Sequence, residues 1–236
     1  SSRNHQNWTE GDAKKGIPNV RAQVVAPDDD YIVGFDMAQG EPRVMALYSG
    51  DPYLCKAFME GIDIHSEFAK EIFAGFASLP KKSPEWTQMR DITKHAEYGY
   101  FYGASPKTVW LMAIREGHQI PFQTITRMFQ VFGQRMPRIP MLHAHLIAQA
   151  GREKRIRSAV YGRSRWFPAG IMEPTVVKNF IPQATGADIM GTGLMRFMER
   201  KPRGTKLLIQ GHDSWTVECD EDQADEMRQI FKECFE

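Results

Sequence analysis

Arg90-Asp-Ile-Thr-Lys94-His-Ala-Glu-Tyr98-Gly-Tyr-Phe-Tyr102-Gly103 is the stretch from which the rest of the chain is read. Arg90, Lys94, Tyr98 and Tyr102 recur every fourth residue, so on an α-helix they share one face. At a rise of about 1.5 Å per residue, Arg90 to Tyr98 spans roughly 12 Å. That is the reach of a nucleoside triphosphate, with cations for the phosphates and an aromatic ring for the sugar and base. Gly103 stands where a helix stops. A solvated helix carries Arg and Lys at i, i+4 by chance. Two tyrosines continuing the same face are less expected of one.

The spacing R-x3-K-x3-[F/Y]-x3-Y-G resembles the fingers helix of family A DNA polymerases, the bacterial DNA polymerase I type, with a phage source equally compatible. Two further segments carry the same resemblance. Tyr31-Ile-Val-Gly-Phe-Asp36 is an apolar, β-prone run closed by a carboxylate, which reads as a buried strand with an acid at its end. Taken alone, Asp36 is also an ordinary turn or helix-cap residue. Asp36-Met-Ala-Gln39-Gly-Glu41-Pro-Arg43 is similar to the family's first acidic motif, D-x-S-Q-I-E-x-R, with Ala38 and Gly40 in place of the usual Ser and Ile. The other segment is Lys206 to Cys219, where two β-prone runs flank Gly211-His212-Asp213-Ser214 and predict a hairpin with Asp213 at its tip. It resembles the family's H-D-E motif, with Ser214 where Glu usually stands.

The resemblance implies DNA-directed DNA polymerase activity, with a primer 3′-hydroxyl attacking the α-phosphorus of a dNTP. Protein groups contribute mainly positioning and charge stabilisation to such phosphoryl transfer. It implies two Mg²⁺ ions, with Mn²⁺ as a substitute, held by Asp36, Asp213 and the carbonyl of Met37. Hard Mg²⁺ keeps several waters, so two carboxylates suffice, and Ser214 then replaces an auxiliary acceptor and not a primary ligand. Carried over by position, Arg90 and Lys94 would bind the triphosphate, Lys94 also protonating pyrophosphate. His65 would contact phosphates, although by itself it reads as a surface or cap-region histidine. Tyr98 would stack near sugar and base, its hydroxyl standing in for a missing 3′-hydroxyl, so that dideoxynucleotides are weakly excluded. Glu41 would crowd the 2′ position and exclude ribonucleotides, and Tyr102 would stack on the template side. Gln39 would support the nucleotide. Arg43, Gly103, Arg163, Asn179, Gln183 and His212 would contact primer or template. Asn179 to Asp188 resembles the family's N-x-P-x-Q-G-T-A-A-D helix start, and Tyr161-Gly-Arg163 to Pro168 its G-R-R-x-x-x-P hairpin.

The expected fold class is α+β. An antiparallel-sheet palm with helices (1–47 and 173–236) is interrupted by a mainly helical fingers insertion (48–172), because the strands ending at Asp36 and Asp213 must meet although far apart in sequence. A thumb, an exonuclease and the last palm strand would lie outside this chain. Helices are expected over Pro52–Glu60, His65–Phe73, Pro84–Tyr102, Thr108–Glu116, Pro121–Phe132 and Pro137 to about Arg152. Others are expected near Arg43, from about Thr185 to Glu199 and from about Glu221, with a short strand at Ala22–Val25.

Composition is compatible with this and specific to nothing. The 236 residues carry a net charge of +1, so the chain is not globally basic. A basic cluster at Arg152, Lys154, Arg155, Arg157, Arg163 and Arg165 suits phosphates or a solvated face. Three cysteines without C-x2-C spacing point to a reducing compartment and against a disulfide or zinc-ribbon scaffold. His143 and His145, two apart, fall on different helix faces and do not read as a metal pair. No signal peptide or membrane-length apolar run is visible. The expectation is a monomeric cytoplasmic core, in a bacterium or a phage host, whose partners are template-primer DNA and dNTP and not a membrane. Two rivals remain. A single-subunit RNA polymerase shares the palm, the R-x3-K helix and an H-D-S motif, but Glu41 opposes it. A non-catalytic polymerase-derived DNA-binding module would account for Ser214.

Overall fold

The computed structural model describes residues 24–27, 30–158, 160–168 and 172–235. In chain order the elements begin with β1 (Asp30–Asp36), α1 (Gly40–Ser49), α2 (Pro52–Met59) and α3 (Ile64–Ile72). Next come α4 (Pro84–Phe101), α5 (Pro106–Arg115), α6 (Phe122–Arg135), α7 (Arg138–Glu153), β2 (Arg155–Arg157) and β3 (Ser164–Trp166). The chain ends with α8 (Pro174–Arg200), β4 (Lys206–Gln210), β5 (Ser214–Asp220) and α9 (Ala224–Cys234). The fold is α+β, as expected. It divides into two compact units, one made of the chain up to Gly40 with Thr185–Glu236, the other of Glu41–Ala184. The boundary falls within α8.

In the first unit β5 lies between β1 and β4, antiparallel to both. The register pairs Phe35 with Trp215, Val33 with Val217 and Tyr31 with Cys219. Side chains alternate across a strand, so these pairs share one face. Val33, Trp215, Val217 and Cys219 are buried there with Met190 and Phe197 of α8 and with α9. Phe35 stacks on Phe231 of α9, and Trp215 meets Phe231 edge-on at 4.6 Å. Ala224, Met227, Ile230, Phe231 and Cys234 form the buried stripe of α9, spaced as an amphipathic helix requires. A bulge between Leu207 and Ile209 interrupts the β4 ladder.

The second unit is built on α3, α4 and α6. Phe68, Ala96, Phe101, Ile125, Met128 and Phe132 are almost wholly inaccessible. Asp51 anchors one side of it: fully buried, it caps α2 by accepting from the Tyr53 and Leu54 N–H groups and also accepts from the Arg138 N–H at 3.1 Å. Ser83 caps α4, its hydroxyl accepting from the Trp86 N–H, and Pro84 occupies the first turn, where its missing N–H costs nothing. The helix ends on Gly103 at φ +68°. There the Gly103 N–H donates to the Tyr100 carbonyl and the Ala104 N–H to the Gly99 carbonyl, a Schellman closure that favours glycine at this position.

Helices appear at the predicted places, within a few residues at each end. The largest difference is α8, which begins at Pro174 and not near Thr185, so Asn179 lies inside the helix and not at its start. Pro182 within it forfeits one backbone hydrogen bond and crowds the preceding turn, a cost of about 3 kcal/mol. Burial of Val177 and Ile181 against Leu146, Ala150, Ile156 and Phe167 offsets that loss, at about 1.5–3 kcal/mol per aliphatic side chain. Of the expected strand at Ala22–Val25, residues 22–23 lie outside the described residues and 24–25 are not in a strand. Among the described residues, no helix is long and apolar enough to cross a membrane.

Candidate active site

In the first unit, one end of the sheet gathers the acidic residues singled out in the sequence. Asp36 is the last residue of β1 and stands opposite Ser214, the first of β5. Asp213 precedes Ser214, and the Met37 N–H donates to the Asp213 carbonyl at 2.8 Å, closing the ladder. Alternation puts Val33 and Phe35 on the core face, so Gly34 and Asp36 lie on the other. A Cβ at Gly34 would meet nothing within 4 Å. Asp36, His212 and Asp213 are exposed. The Gly211 N–H donates to the Ser214 carbonyl at 2.6 Å, which makes the Gly211–Asp213 link a tight turn. Two carboxylates and backbone carbonyls form an all-oxygen donor set, the kind that suits Mg²⁺. Gln39 follows at φ +55°, an unusual conformation for a side chain of its size, and its Oε1 is buried with no hydrogen-bond partner among the described residues.

In the second unit, α4 carries the cationic and aromatic stripe. Arg90, Lys94, Tyr98 and Tyr102 are all partly exposed, while Ile92, Thr93, Ala96, Glu97, Tyr100 and Phe101 are buried on the opposite side. Lys94 Nζ sits 5.8 Å from the Tyr98 ring centre, and Tyr98 lies edge-on to Tyr102 at 6.3 Å. Arg90 makes a two-pronged contact with Asp63, Nε to Oδ2 at 2.9 Å and Nη2 to Oδ1 at 3.1 Å. Burial by itself raises the Asp63 carboxyl, but hydrogen bonds from Arg90 and Ser66 bring it below its usual range. A cleft of about 220 Å³, lined mainly by apolar groups, opens between α4, α5 and α6 beside Tyr98 and Tyr102.

His65 is not the surface residue its sequence context suggests. It is 1% exposed, and its Nδ1 shares a 2.8 Å hydrogen bond with Oε2 of Glu97, itself 0% exposed. Burial pushes the Glu97 carboxyl above its ordinary range, with His65 acting in the opposite direction. The His65 ring also lies 6.0 Å from Tyr98. Asp63 and Glu97 were not singled out in the sequence. Glu97 falls at a core position of the α4 pattern, where a carboxylate is not expected, and that mismatch was the available signal. His143 is likewise interior: its Nε2–H donates to the Phe101 carbonyl at 2.8 Å, and burial lowers its basicity.

The remaining residues are spread over other elements. Glu41 is in the first turn of α1, and Arg43 lies over the Phe58 ring at 5.0 Å. Gly103 accepts through its carbonyl from Lys178 Nζ at 3.3 Å. Arg163 is exposed in the turn joining β2 and β3. Asn179 and Gln183 are one turn apart on α8, Gln183 exposed and Asn179 Oδ1 buried with no hydrogen-bond partner among the described residues.

Comparison with known proteins bears on the family and the fold. The family described as DNA polymerase family A matches residues 3–236. The chain is 28% identical over 228 residues to the thermostable DNA polymerase I of Thermus filiformis, covering 92% of this chain and 26% of that protein. It is 25% identical over 227 residues to DNA polymerase I of Deinococcus radiodurans, covering 92% of this chain and 22% of that protein. It therefore spans about a quarter of the length of these curated relatives. Its fold is also that of the polymerase domain of Pol1 from M. smegmatis, solved with DNA primer-template and dNTP. The TM-score is 0.74 at 24% identity, over 98% of this chain and 41% of that one.

Proposed function

Because this chain belongs to DNA polymerase family A, we propose that it is the palm and fingers portion of a DNA-directed DNA polymerase, extending a primer 3′-hydroxyl with dNTPs. The observation that carries the reading is the meeting of Asp36 and Asp213 at one sheet end, from segments about three quarters of the chain apart. Palm corresponds to the sheet-bearing unit and fingers to the helical one.

Asp36, Asp213 and the Met37 carbonyl would hold a pair of Mg²⁺ ions. Such a pair supplies charge stabilisation to the attacking and leaving oxygens. Arg90 and Lys94 bind the triphosphate, and Lys94 holds a proton at Nζ for the departing pyrophosphate. Asp63 aims the Arg90 guanidinium, since a two-pronged contact fixes direction as well as distance. His65, 1% exposed and paired with Glu97, supports the neighbouring Tyr98 ring and does not reach the phosphates itself. Tyr98 and Tyr102 stack on the nucleotide and the template, Gln39 supports the nucleotide, and Glu41 excludes the 2′-hydroxyl. Arg43, Gly103, Arg163, Asn179, Gln183 and His212 contact primer or template.

The test is primer extension by the complete protein with Mg²⁺, offering dNTPs and rNTPs separately, with Asp213→Ala as control. Extension with dNTPs alone, abolished by Asp213→Ala, is expected. Incorporation of rNTPs favours the single-subunit RNA polymerase reading suggested by His212-Asp213-Ser214. Tight template-primer binding without incorporation favours a binding module.

A further inference from the structure

Bordering the stripe on α4, in the same cleft as Tyr98 and Tyr102, a second group of ligand-bearing side chains converges at the end of α5. Glu116 caps that helix and His118 follows one residue later, with Gly117 between them at φ +91°. The Gly117 N–H donates to the Ile114 carbonyl and the His118 N–H to the Ala113 carbonyl. This Schellman closure turns the chain back on itself and needs a residue tolerant of positive φ. It brings both side chains toward α4, which approaches closely here because a Cβ on Gly99 would run into the Val109 side chain of α5. His95 of α4 completes the group. Its Nδ1 lies 3.4 Å from Glu116 Oε2, and His118 Nε2 lies 3.9 Å from the same oxygen. All three ligand atoms fall within 4.8 Å of one another.

We propose that His95, Glu116 and His118 bind a divalent transition-metal ion of the Zn²⁺ class, with water completing the coordination. A single His–Glu ion pair needs only one imidazole, whereas here two imidazoles converge on one carboxylate oxygen from different elements. Tetrahedral zinc with bonds of about 2.0–2.2 Å sets its ligand atoms roughly 3.3–3.5 Å apart. The closest pair already has that spacing, and the others reach it by a side-chain shift of about an ångström. Two nitrogens and one oxygen select Zn²⁺, Co²⁺, Ni²⁺ or Cu²⁺ over Mg²⁺, which prefers oxygen and octahedral geometry. The site is thus chemically distinct from the acidic sheet end, and it does not depend on the proposed polymerase activity. A bound ion ties α4 to the turn after α5, one residue from Lys94.

The test is Zn²⁺ binding to the complete protein by competition with a chromophoric chelator, in excess Mg²⁺ to fill oxygen-rich sites. His95→Ala, His118→Ala and Glu116→Gln are compared with the parent, and circular dichroism confirms that each folds. One Zn²⁺ equivalent held by the parent, and weakened at least about 100-fold in each histidine variant, is expected, since even outer-sphere changes cost 10–100-fold. Co²⁺ titration supplies a second readout, a visible absorption band in the parent that both histidine variants lose. Failure of the parent to retain one equivalent overturns the proposal. So does binding that is unchanged in His95→Ala and His118→Ala.

Discussion

Removing His65 tests whether its pairing with Glu97 is a structural element of the helical unit. Both residues are buried, and their 2.8 Å contact is the only hydrogen bond of the Glu97 carboxyl among the described residues, its other oxygen being buried without a partner. His65→Ala removes an imidazole's packing and orphans the carboxyl. The orphaned acid alone costs about 1–3 kcal/mol, and loss of the ring's packing brings the total to about 3–5 kcal/mol, the range of truncating a large buried ring to alanine. Glu97→Gln keeps the shape and a hydrogen-bonding oxygen, so about 0.5–1.5 kcal/mol is expected. The pH dependence has a definite sign. Folding raises the Glu97 pKa, so the native state favours the protonated acid. The resulting contribution is fully present below the unfolded value, about 4.3, and is lost as pH rises through the elevated folded value. Stability of the parent relative to Glu97→Gln should therefore fall as pH rises from about 4.3 to the elevated folded value, and level off above it. The assay is amide hydrogen exchange of α4, which reports on this unit without requiring the two units to unfold together. A His65→Ala cost below about 1 kcal/mol, or equal to that of Glu97→Gln, refutes the reasoning.

Four other outcomes follow from single residues. Asp51→Ala removes a fully buried acceptor of three backbone N–H groups and should cost about 2–3 kcal/mol in urea unfolding of the helical unit; a loss within 0.5 kcal/mol, roughly the level of a surface change, would show that the cap is dispensable. Gly103→Ala places a Cβ at φ +68° and against the Lys178 side chain, so a loss of about 1–2 kcal/mol is expected from the left-handed backbone alone, read from the thermal midpoint. Lys154→Gly should stabilise by up to about 1 kcal/mol, because Lys154 caps α7 at φ +56° and glycine adopts that conformation without strain. In the complete protein, Tyr98→Phe should increase discrimination against dideoxynucleotides in primer extension. Strong exclusion by the parent, unchanged in the variant, would remove the assigned role of the Tyr98 hydroxyl.

What could be read from the sequence tracks how local the signal is. The α4 stripe repeats every four residues within one helix, and Ser83-Pro84 and Gly103 mark the helix ends by local backbone chemistry. The meeting of Asp36 and Asp213 was legible through the family resemblance, since by itself each reads as an ordinary turn residue at the end of a β-prone run. The start of α8 was not, because Pro182 reads as a stop signal and only the tertiary packing of Val177 and Ile181 overrides it. Asp63 and Glu97 were not legible either. Each acquires its role from a contact 27 or 32 residues away in sequence, and no pattern within a single element encodes such a pair. The same holds for His95, whose partners lie beyond the next helix.

These long-range contacts explain how one helix can carry a precise polar face. The stripe on α4 is held by its opposite side, where Ile92, Ala96 and Phe101 sit in a close-packed core, so rotation of the helix would open voids. At the borders between the two faces, polar contacts fix individual side chains: Asp63 holds Arg90, and Glu97 holds His65 beneath Tyr98. Gly99 removes the side chain that would keep α5 away. The resulting close approach is also what puts Glu116 and His118 within reach of His95. The orientation of the stripe and the convergence of the three ligands therefore share one cause. A residue larger than glycine at position 99 should disturb both, lowering nucleotide incorporation and Zn²⁺ affinity together, whereas His118→Ala should abolish Zn²⁺ binding and leave the packing of α4 on α5 in place.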